Sequence, residues 1–151
     1  MTQEEKQLLI KDLCARLPYG VKIYIDSSKY GELIGILDAV YPSEERIIVD
    51  NLNKAIAPID VRCGGFRLED TLVKPYLRPM SSMTEEEKQE MSDGSSIAFE
   101  PAMNGISGYC PETMAWSTYN IDYCISHHLD YRGLIEMGLA LEAPEGMYNI
   151  E

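Results

Sequence analysis

The segment from Cys124 to Arg132 holds the densest set of side chains that could carry out chemistry. It reads CISHHLDYR and combines a thiol, two imidazoles and a carboxylate. Cys124 and His128 are four positions apart, so a helix would place them on one face. Zinc prefers thiolate and imidazole ligands, and Cys110 could complete a set of three if the chain folds back.

A hydrolytic enzyme is the other chemistry that this segment could support. Its residues would be Cys110, Cys124, His127, His128 and Asp130. A cysteine becomes an effective nucleophile when a neighbouring base activates it and hydrogen-bond donors stabilise the oxyanion. A four-residue spacing supplies neither, and zinc motifs usually contain closely paired ligands. We therefore predict no catalytic residue, no metal and no cofactor, and keep Cys110, Cys124 and His128 as the metal candidates to test.

The residues of this segment could instead have purely structural roles. His128 would end a helix, where a cationic or hydrogen-bonding ring suits the exposed carbonyl groups. Asp130 is placed to cap the following turn. Arg132 and Lys88 are the two basic residues beyond position 78. Arg132 is expected to form an internal salt bridge, with a ligand anchor as the alternative.

Charge divides the chain into two parts. Residues 1–78 hold 12 acidic and 11 basic residues, whereas residues 79–151 hold 13 acidic and two basic ones. The net charges of the two parts are therefore −1 and −11, which together give the −12 of the whole chain. This division predicts a near-neutral packed unit and an acidic extension, with the boundary at Pro79.

The negative charge argues against some classes of partner. It repels the phosphates of nucleic acids and the surfaces of anionic membranes. No apolar run reaches the roughly 20 residues that span a bilayer. A basic protein partner is compatible with this charge, and so is solubility alone. The polar N-terminus has no signal-peptide pattern, so we expect a cytoplasmic location and reduced cysteines.

The acidic run after Pro79 is the candidate interaction surface. Its residues are Glu85, Glu86, Glu87 and Glu90. Arg132 is added as a fifth candidate because it is the only basic residue after Lys88. Thr84 and Glu87 have the spacing of a capping box, so the run should lie on a short helix. Such a run is usually a solvated helix face, and partner binding is the functional alternative.

An N-terminal helix is the clearest element in the sequence. Thr2 and Glu5 have the spacing of a capping box. Leu9, Leu13 and Leu17 recur every four residues, which gives the helix one apolar face. That face must be buried against the segment that follows.

Residues 21–78 predict a small β-structure. Apolar and polar side chains alternate in about five short strands, of which the second is long and could bend at Gly31 and Gly35. The fourth strand would cover residues 56–62. We predict an α+β fold with an SH3-like antiparallel β-barrel as its centre. The alternative is an open antiparallel sheet with the first helix lying across it.

Residues 79–151 are expected to form an acidic helical region packed on the barrel. Residues 92–110 are rich in Ser, Gly, Asn and Pro, which is typical of a mobile or partner-binding loop. Pro111 suits the first position of a helix that could run to about His128. Residues 139–148 could then add an extended segment to the body.

Two strings in the sequence carry a resemblance. The first is VKPYLRPMSSMTEEE at residues 73–87, and the second is HHLDYRGLIEMGLALEAPEGMY at residues 127–148. Both resemble an uncharacterised family of short proteins from phages, prophages and mobile elements of gut bacteria. The resemblance covers 37 of the 151 residues and implies a genomic setting, without an activity or a catalytic residue.

Three functions follow from these patterns. The one we favour is a non-enzymatic interaction protein of phage or mobile-element origin, which binds a basic protein partner through its acidic surface. The second is a metal-binding or hydrolytic enzyme that uses the segment around Cys124. The third is a structural module that forms homo-oligomers through an exposed sheet edge.

Overall fold

The computed structural model describes residues 1–54, 65–94, 109–110, 115–116 and 118–148, with the backbone alone at 92–94, 109–110, 115–116 and 118. The helices are α1 (Gln3–Arg16), α2 (Glu85–Gly94) and α3 (Thr118–Ser126). The strands are β1 (Lys22–Ser27), β2 (Gly31–Tyr41), β3 (Arg46–Asp50), β4 (Phe66–Arg67), β5 (Leu72–Leu77), β6 (Tyr109–Cys110), β7 (Ala115–Trp116) and β8 (Leu141–Glu142). Short 3-10 turns lie at Leu17–Tyr19, Pro42–Glu44 and Met80–Ser82.

Helix α1 begins as its sequence predicts. The Thr2 hydroxyl accepts a hydrogen bond from the Glu5 backbone N–H at 3.1 Å, and the Glu5 carboxylate accepts one from the Thr2 N–H at 2.9 Å. Leu9 and Leu13 are fully buried. The capping box and the apolar face are therefore both confirmed.

Strands β1 to β5 and β8 form one six-stranded sheet in the order β4-β3-β2-β1-β5-β8. Every pairing is antiparallel except that of β5 with β8, which is parallel. The α+β class and the extended C-terminal segment are thus confirmed. The predicted fourth strand at residues 56–62 lies outside the described residues.

The predicted SH3-like barrel is not confirmed, because the described strands form an open sheet. Closing a barrel requires the strands at the two ends of the sheet to pair with each other. Here β5 pairs with β1 on one side and with β8 on the other. The C-terminal segment therefore occupies the strand edge that barrel closure would need.

The irregularity of strand β2 in its pairing with β3 lies beyond its two glycines. The register shifts between Leu37 and Ala39. Gly35 has a packing role, because a Cβ atom there would lie 2.6 Å from the backbone oxygen of Asp50. The glycine permits the close approach of β3.

Two hydrophobic clusters fill the interior. The larger one joins α1 and the sheet, and it also includes Leu134, Leu139 and Ala140 from the C-terminal part of the chain. The smaller one lies under α2 and α3 and consists of Met83, Met91, Tyr123, Cys124 and Leu129. Residues on both sides of Pro79 thus contribute to the larger cluster.

The helix predicted from Pro111 to about His128 is shorter in the structure. Helix α3 begins at Thr118, and β7 at Ala115–Trp116 pairs with β6 instead of being helical. Most of the predicted loop at 92–110 lies outside the described residues, as does Pro111. Within the described chain, no helix is long and apolar enough to cross a membrane.

Candidate functional site

Cys124, the proposed ligand or nucleophile, lies on α3 inside the smaller hydrophobic cluster. Its side chain is fully buried. Burial raises the pKa of the thiol to about 12, although the nearby Arg16 charge lowers it slightly. The thiolate is the form that attacks carbonyls and binds metals. At neutral pH Cys124 is therefore an inert core thiol.

The two histidines that follow α3 turn away from each other. The His127 ring stacks on Tyr123 at a centroid distance of 3.9 Å, and the His128 ring stacks on Tyr148 at 3.8 Å. His128 adopts a left-handed backbone conformation with φ 61°. This conformation ends the helical path, so the four-residue spacing from Cys124 does not place both side chains on one helical face.

The sequence suggested a cationic or hydrogen-bonding ring at position 128, and the surroundings of the ring favour its neutral form. Burial, and after it the charges of Arg16, Arg78, His127 and Lys22, together lower the pKa of His128 to about 4. The ring is consequently neutral at pH 7. Among the described residues no group of three potential metal ligands comes together. The Cys110 side chain lies outside the described residues.

Asp130 and Arg132 have the structural roles that the sequence predicted. The Asp130 carboxylate accepts hydrogen bonds from the backbone N–H groups of Leu134 at 2.8 Å and Ile135 at 2.9 Å. Arg132 Nε lies 3.1 Å from the Asp12 carboxylate. The turn cap and the internal salt bridge are both confirmed.

Asp12 also binds a second arginine, which sequence reasoning missed. Arg16 Nε donates to the other carboxylate oxygen of Asp12 at 2.7 Å, and both side chains are fully buried. Arg16 Nη2 donates to the backbone oxygen of Leu129 at 2.8 Å. The signal was present in the sequence, since Asp12 and Arg16 are four positions apart and next to the apolar stripe of α1. This network joins α1 to the segment that follows α3.

Glu87 belongs to a similar buried pair, which corrects its prediction as an interaction residue. Its two carboxylate oxygens accept hydrogen bonds from Arg78 Nη1 at 2.8 Å and Nη2 at 2.7 Å. Burial alone would raise the pKa of Glu87. Hydrogen bonds from Arg78 and from the Thr84 backbone, together with the Arg78 charge, hold the pKa below its ordinary value. Glu87 is therefore a charged core residue at neutral pH.

The other predicted interaction residues remain at the surface. Glu85, Glu86 and Glu90 are exposed on α2. Glu85 pairs with Lys88 at 3.2 Å, and Glu90 accepts a hydrogen bond from the Tyr123 hydroxyl at 2.7 Å. The predicted capping box is also confirmed, because the Thr84 hydroxyl and the Glu87 carboxylate accept each other's backbone N–H.

Comparison with protein-family models, with curated proteins and with solved structures finds no match to this chain. The resemblance to phage-associated proteins therefore stays a prediction. Any functional interpretation rests on the arrangement of the chain's own residues.

A groove near these residues lies between the Met80–Ser82 turn and the C-terminal segment. Its volume is about 340 Å³. Exposed Glu142 and Glu145 line it beside Ser82 and Tyr148. Arg78 contributes to its wall, but that guanidinium is already bound by Glu87 and by the backbone oxygens of His127 and Ser82. The groove is therefore acidic in character.

Proposed function

We propose that this chain is a non-enzymatic interaction protein that binds a basic protein partner through the acidic surface of its C-terminal half. The observation that carries the proposal is the unequal placement of opposite charges. Arg78 is buried against Glu87, and Arg132 is paired with Asp12. Both arginines are thus neutralised by buried carboxylates, and Lys88 pairs with Glu85 at the surface. The exposed carboxylates of this region are those of Glu85, Glu86, Glu90, Asp122, Glu136, Glu142 and Glu145.

The exposed carboxylates form two neighbouring groups. Glu85, Glu86 and Glu90 lie on α2, and Glu142 and Glu145 line the groove next to Ser82. Ser82 lines the groove and is three residues before α2 begins. Asp122 and Glu136 are also exposed. A partner rich in lysine or arginine would gain favourable long-range electrostatics on approaching this surface.

Phage or mobile-element origin and a cytoplasmic setting accompany this proposal, supported by the two strings at residues 73–87 and 127–148 and by the polar N-terminus. An enzymatic role receives less support, because Cys124 is protonated and the histidines diverge.

The test is binding to a fluorescein-labelled oligolysine peptide, followed by fluorescence anisotropy at low and moderate salt. The double variant Glu142→Gln/Glu145→Gln removes two charges from the groove. It should weaken binding about fivefold, because two exposed charge pairs contribute together about 1 kcal/mol. Added salt should weaken binding of the unaltered chain, since exposed charges are screened.

The matched control is Glu4→Gln/Glu69→Gln, which removes the same charge from exposed positions in the first half of the chain. It should change the affinity by less than about twofold. Equal losses of peptide affinity in the two double variants would contradict a localised acidic surface. Peptide binding that does not weaken with salt would contradict it as well.

Self-association is the second candidate, and one observation favours it. Met1, Leu72 and Met137 are 50%, 43% and 46% exposed, and they surround a groove of about 250 Å³ beside the β5 edge. Exposed apolar surface of this kind can be covered by a second copy. Light scattering at increasing concentration tests it, and a constant monomer mass excludes it.

A further inference from the structure

The C-terminal segment, residues 139–148, binds the sheet through the Tyr148 side chain. Its hydroxyl takes the place of a backbone hydrogen bond between β1 and β5. Ile23 pairs with Pro75 in the β1–β5 ladder, so Lys22 and Tyr76 would form the next pair. Instead, the Tyr148 hydroxyl accepts a hydrogen bond from the Lys22 N–H at 2.8 Å and donates one to the Tyr76 oxygen at 2.7 Å. The hydroxyl thus bridges the place where the two strands separate.

Leu139 and Ala140 anchor the start of this segment in the larger hydrophobic cluster, and beyond them β8 pairs with β5 over two residues. The Ala143 N–H donates to the Leu77 oxygen at 2.8 Å, and Lys22 Nζ donates to the Met147 oxygen at 3.0 Å. β8 itself is only two residues long. Such a short edge strand can open locally without unfolding the rest of the sheet.

The ring of Tyr148 rests on the ring of His128, with an interplanar angle of 13°. His128 Nδ1 is buried, and it has no hydrogen-bond partner in the part of the chain that the structure describes. A protonated imidazole has two N–H donors, so the second donor would be left unpaired at this nitrogen. An unpaired buried donor is unfavourable, and it costs more when charged.

The groups around His128 add to this penalty. The charged neighbours are Arg16 from α1, Lys22 from β1, Arg78 from the end of β5 and the titratable ring of His127. Asp12 and Glu87 lie on the far side of the two arginines as their partners. Tyr148 faces the ring from the C-terminal segment and is neutral, since burial raises its pKa to about 12.

We propose that residues 141–148 of the C-terminal segment are an acid-released cover of the β5 edge, in which protonation of His128 breaks its stack with Tyr148 and frees them, while Leu139 and Ala140 stay in the core. Release separates Glu142 and Glu145 from the Met80–Ser82 turn, so the acidic groove is lost with it. The exposed edge of β5 then offers unpaired backbone groups to another strand.

The direction of the pH dependence follows from linkage. The ring titrates at about 4 when the segment is closed, against an ordinary value of 6.5. The closed state is therefore fully favoured above about pH 6.5, and its advantage is lost as the pH falls toward 4. When release exposes the ring to water and restores its ordinary pKa, the opening equilibrium should shift about 20-fold toward the open form between about pH 7 and about pH 5.

Amide hydrogen exchange tests the proposal, after correction for the intrinsic pH dependence of exchange. The protection of the Ala143 and Lys22 amides should fall about 20-fold between about pH 7 and about pH 5. The amides of β2 and β3 should keep their protection over the same range. A uniform loss across the sheet, or unchanged protection at Ala143, would overturn the proposal.

The neighbouring histidine provides a matched control. His128→Phe keeps an aromatic ring on Tyr148 but removes the titrating nitrogen, so the pH dependence at Ala143 should disappear. His127→Phe keeps the other stack, on Tyr123, and should leave that dependence intact. Should His128→Phe fail to fold, the unaltered chain still decides the question. In that chain the loss of protection at Ala143 must begin near pH 6.5 and level off where the His128 ring itself titrates by NMR, and a ring that titrates at its ordinary value in the folded protein would overturn the proposal.

Discussion

Arg16 and Arg78 are both buried, and each is held by a carboxylate that is at most 3% exposed. Burying a guanidinium is strongly unfavourable unless a counter-ion and further acceptors accompany it. Backbone oxygens supply those acceptors at Leu129, His127 and Ser82. These pairs connect α1 and α2 to the segment after α3, and they remove the arginines from the surface.

Glu87→Ala should therefore be strongly destabilising. It leaves the Arg78 guanidinium buried without its carboxylate and removes part of the α2 capping box. The free energy of unfolding should fall by about 3–5 kcal/mol. Urea denaturation measures this, and Glu86→Ala is the control, since exposed Glu86 should change stability by no more than about 0.5 kcal/mol. Similar losses in both variants would show that the buried pair is unimportant.

Cys124 should resist alkylation in the folded protein. Its thiol is fully buried, and its pKa is raised to about 12, whereas Cys14 is exposed. Iodoacetamide at neutral pH should therefore modify Cys14 well before Cys124, and mass spectrometry of peptides can follow both sites. Rapid labelling of Cys124 would instead indicate an accessible thiolate, and it would support the alternative that the protein is a hydrolytic enzyme.

The sequence was informative about residues whose role depends on near neighbours. The Asp130 cap and the two capping boxes involve residues three to five positions apart, and such spacings can be read directly. The Arg132 salt bridge was inferred from charge alone, but its partner Asp12 is 120 positions away and could not be named. His127 and His128 diverge because His128 has a left-handed backbone conformation. Glycine is the residue that usually signals this conformation, and His128 is not a glycine.

Helix α2 is the element whose packing the sequence described least well. Its four glutamates suggested a solvated helix, yet Glu87 and Met91 are buried on one face, four residues apart. Met91 packs with Met83, Tyr123 and Cys124 in the smaller hydrophobic cluster. A buried ion pair and a single methionine do not produce an apolar stripe, so periodicity could not reveal this face.

Met91→Ala tests the contribution of this packing. Removing a fully buried methionine should lower the free energy of unfolding by about 2–4 kcal/mol, because it leaves a cavity under α2. Met137→Ala is the matched control, since Met137 is 46% exposed and should change stability by less than about 0.5 kcal/mol. Chemical denaturation of both variants decides the matter, and a small effect of Met91→Ala would mean that α2 is only loosely attached.

The sheet shows which part of the fold depends on distant contacts. Alternating side chains predicted β1, β2, β3 and β5 close to their observed positions, because burial on one face imposes a period of two. The choice between a barrel and an open sheet depends on how the sheet's edges are covered. In this chain β8, 64 residues beyond β5, covers the edge of that strand. A two-residue pairing at that separation has no sequence signature.

At the scale of the whole molecule, the charge division found in the sequence corresponds to a division between buried and exposed charge. Arg78 and Arg132 are engaged internally, and the carboxylates of α2 and of the C-terminal groove face outward. Composition alone could predict that the surface of the C-terminal half is negatively charged. It could not show that Glu87 is buried. Nor could it show that Glu142 and Glu145 lie beside the turn that leads into α2.

The most direct test of the proposed acidic interaction surface is an amide NMR titration with an oligolysine peptide at low salt. We predict that chemical shifts change at residues 85–90 and 142–146, and that moderate salt reverses the changes. Shift changes spread evenly over both halves of the chain, or concentrated in residues 1–54, would contradict the proposal that the C-terminal half carries the binding surface.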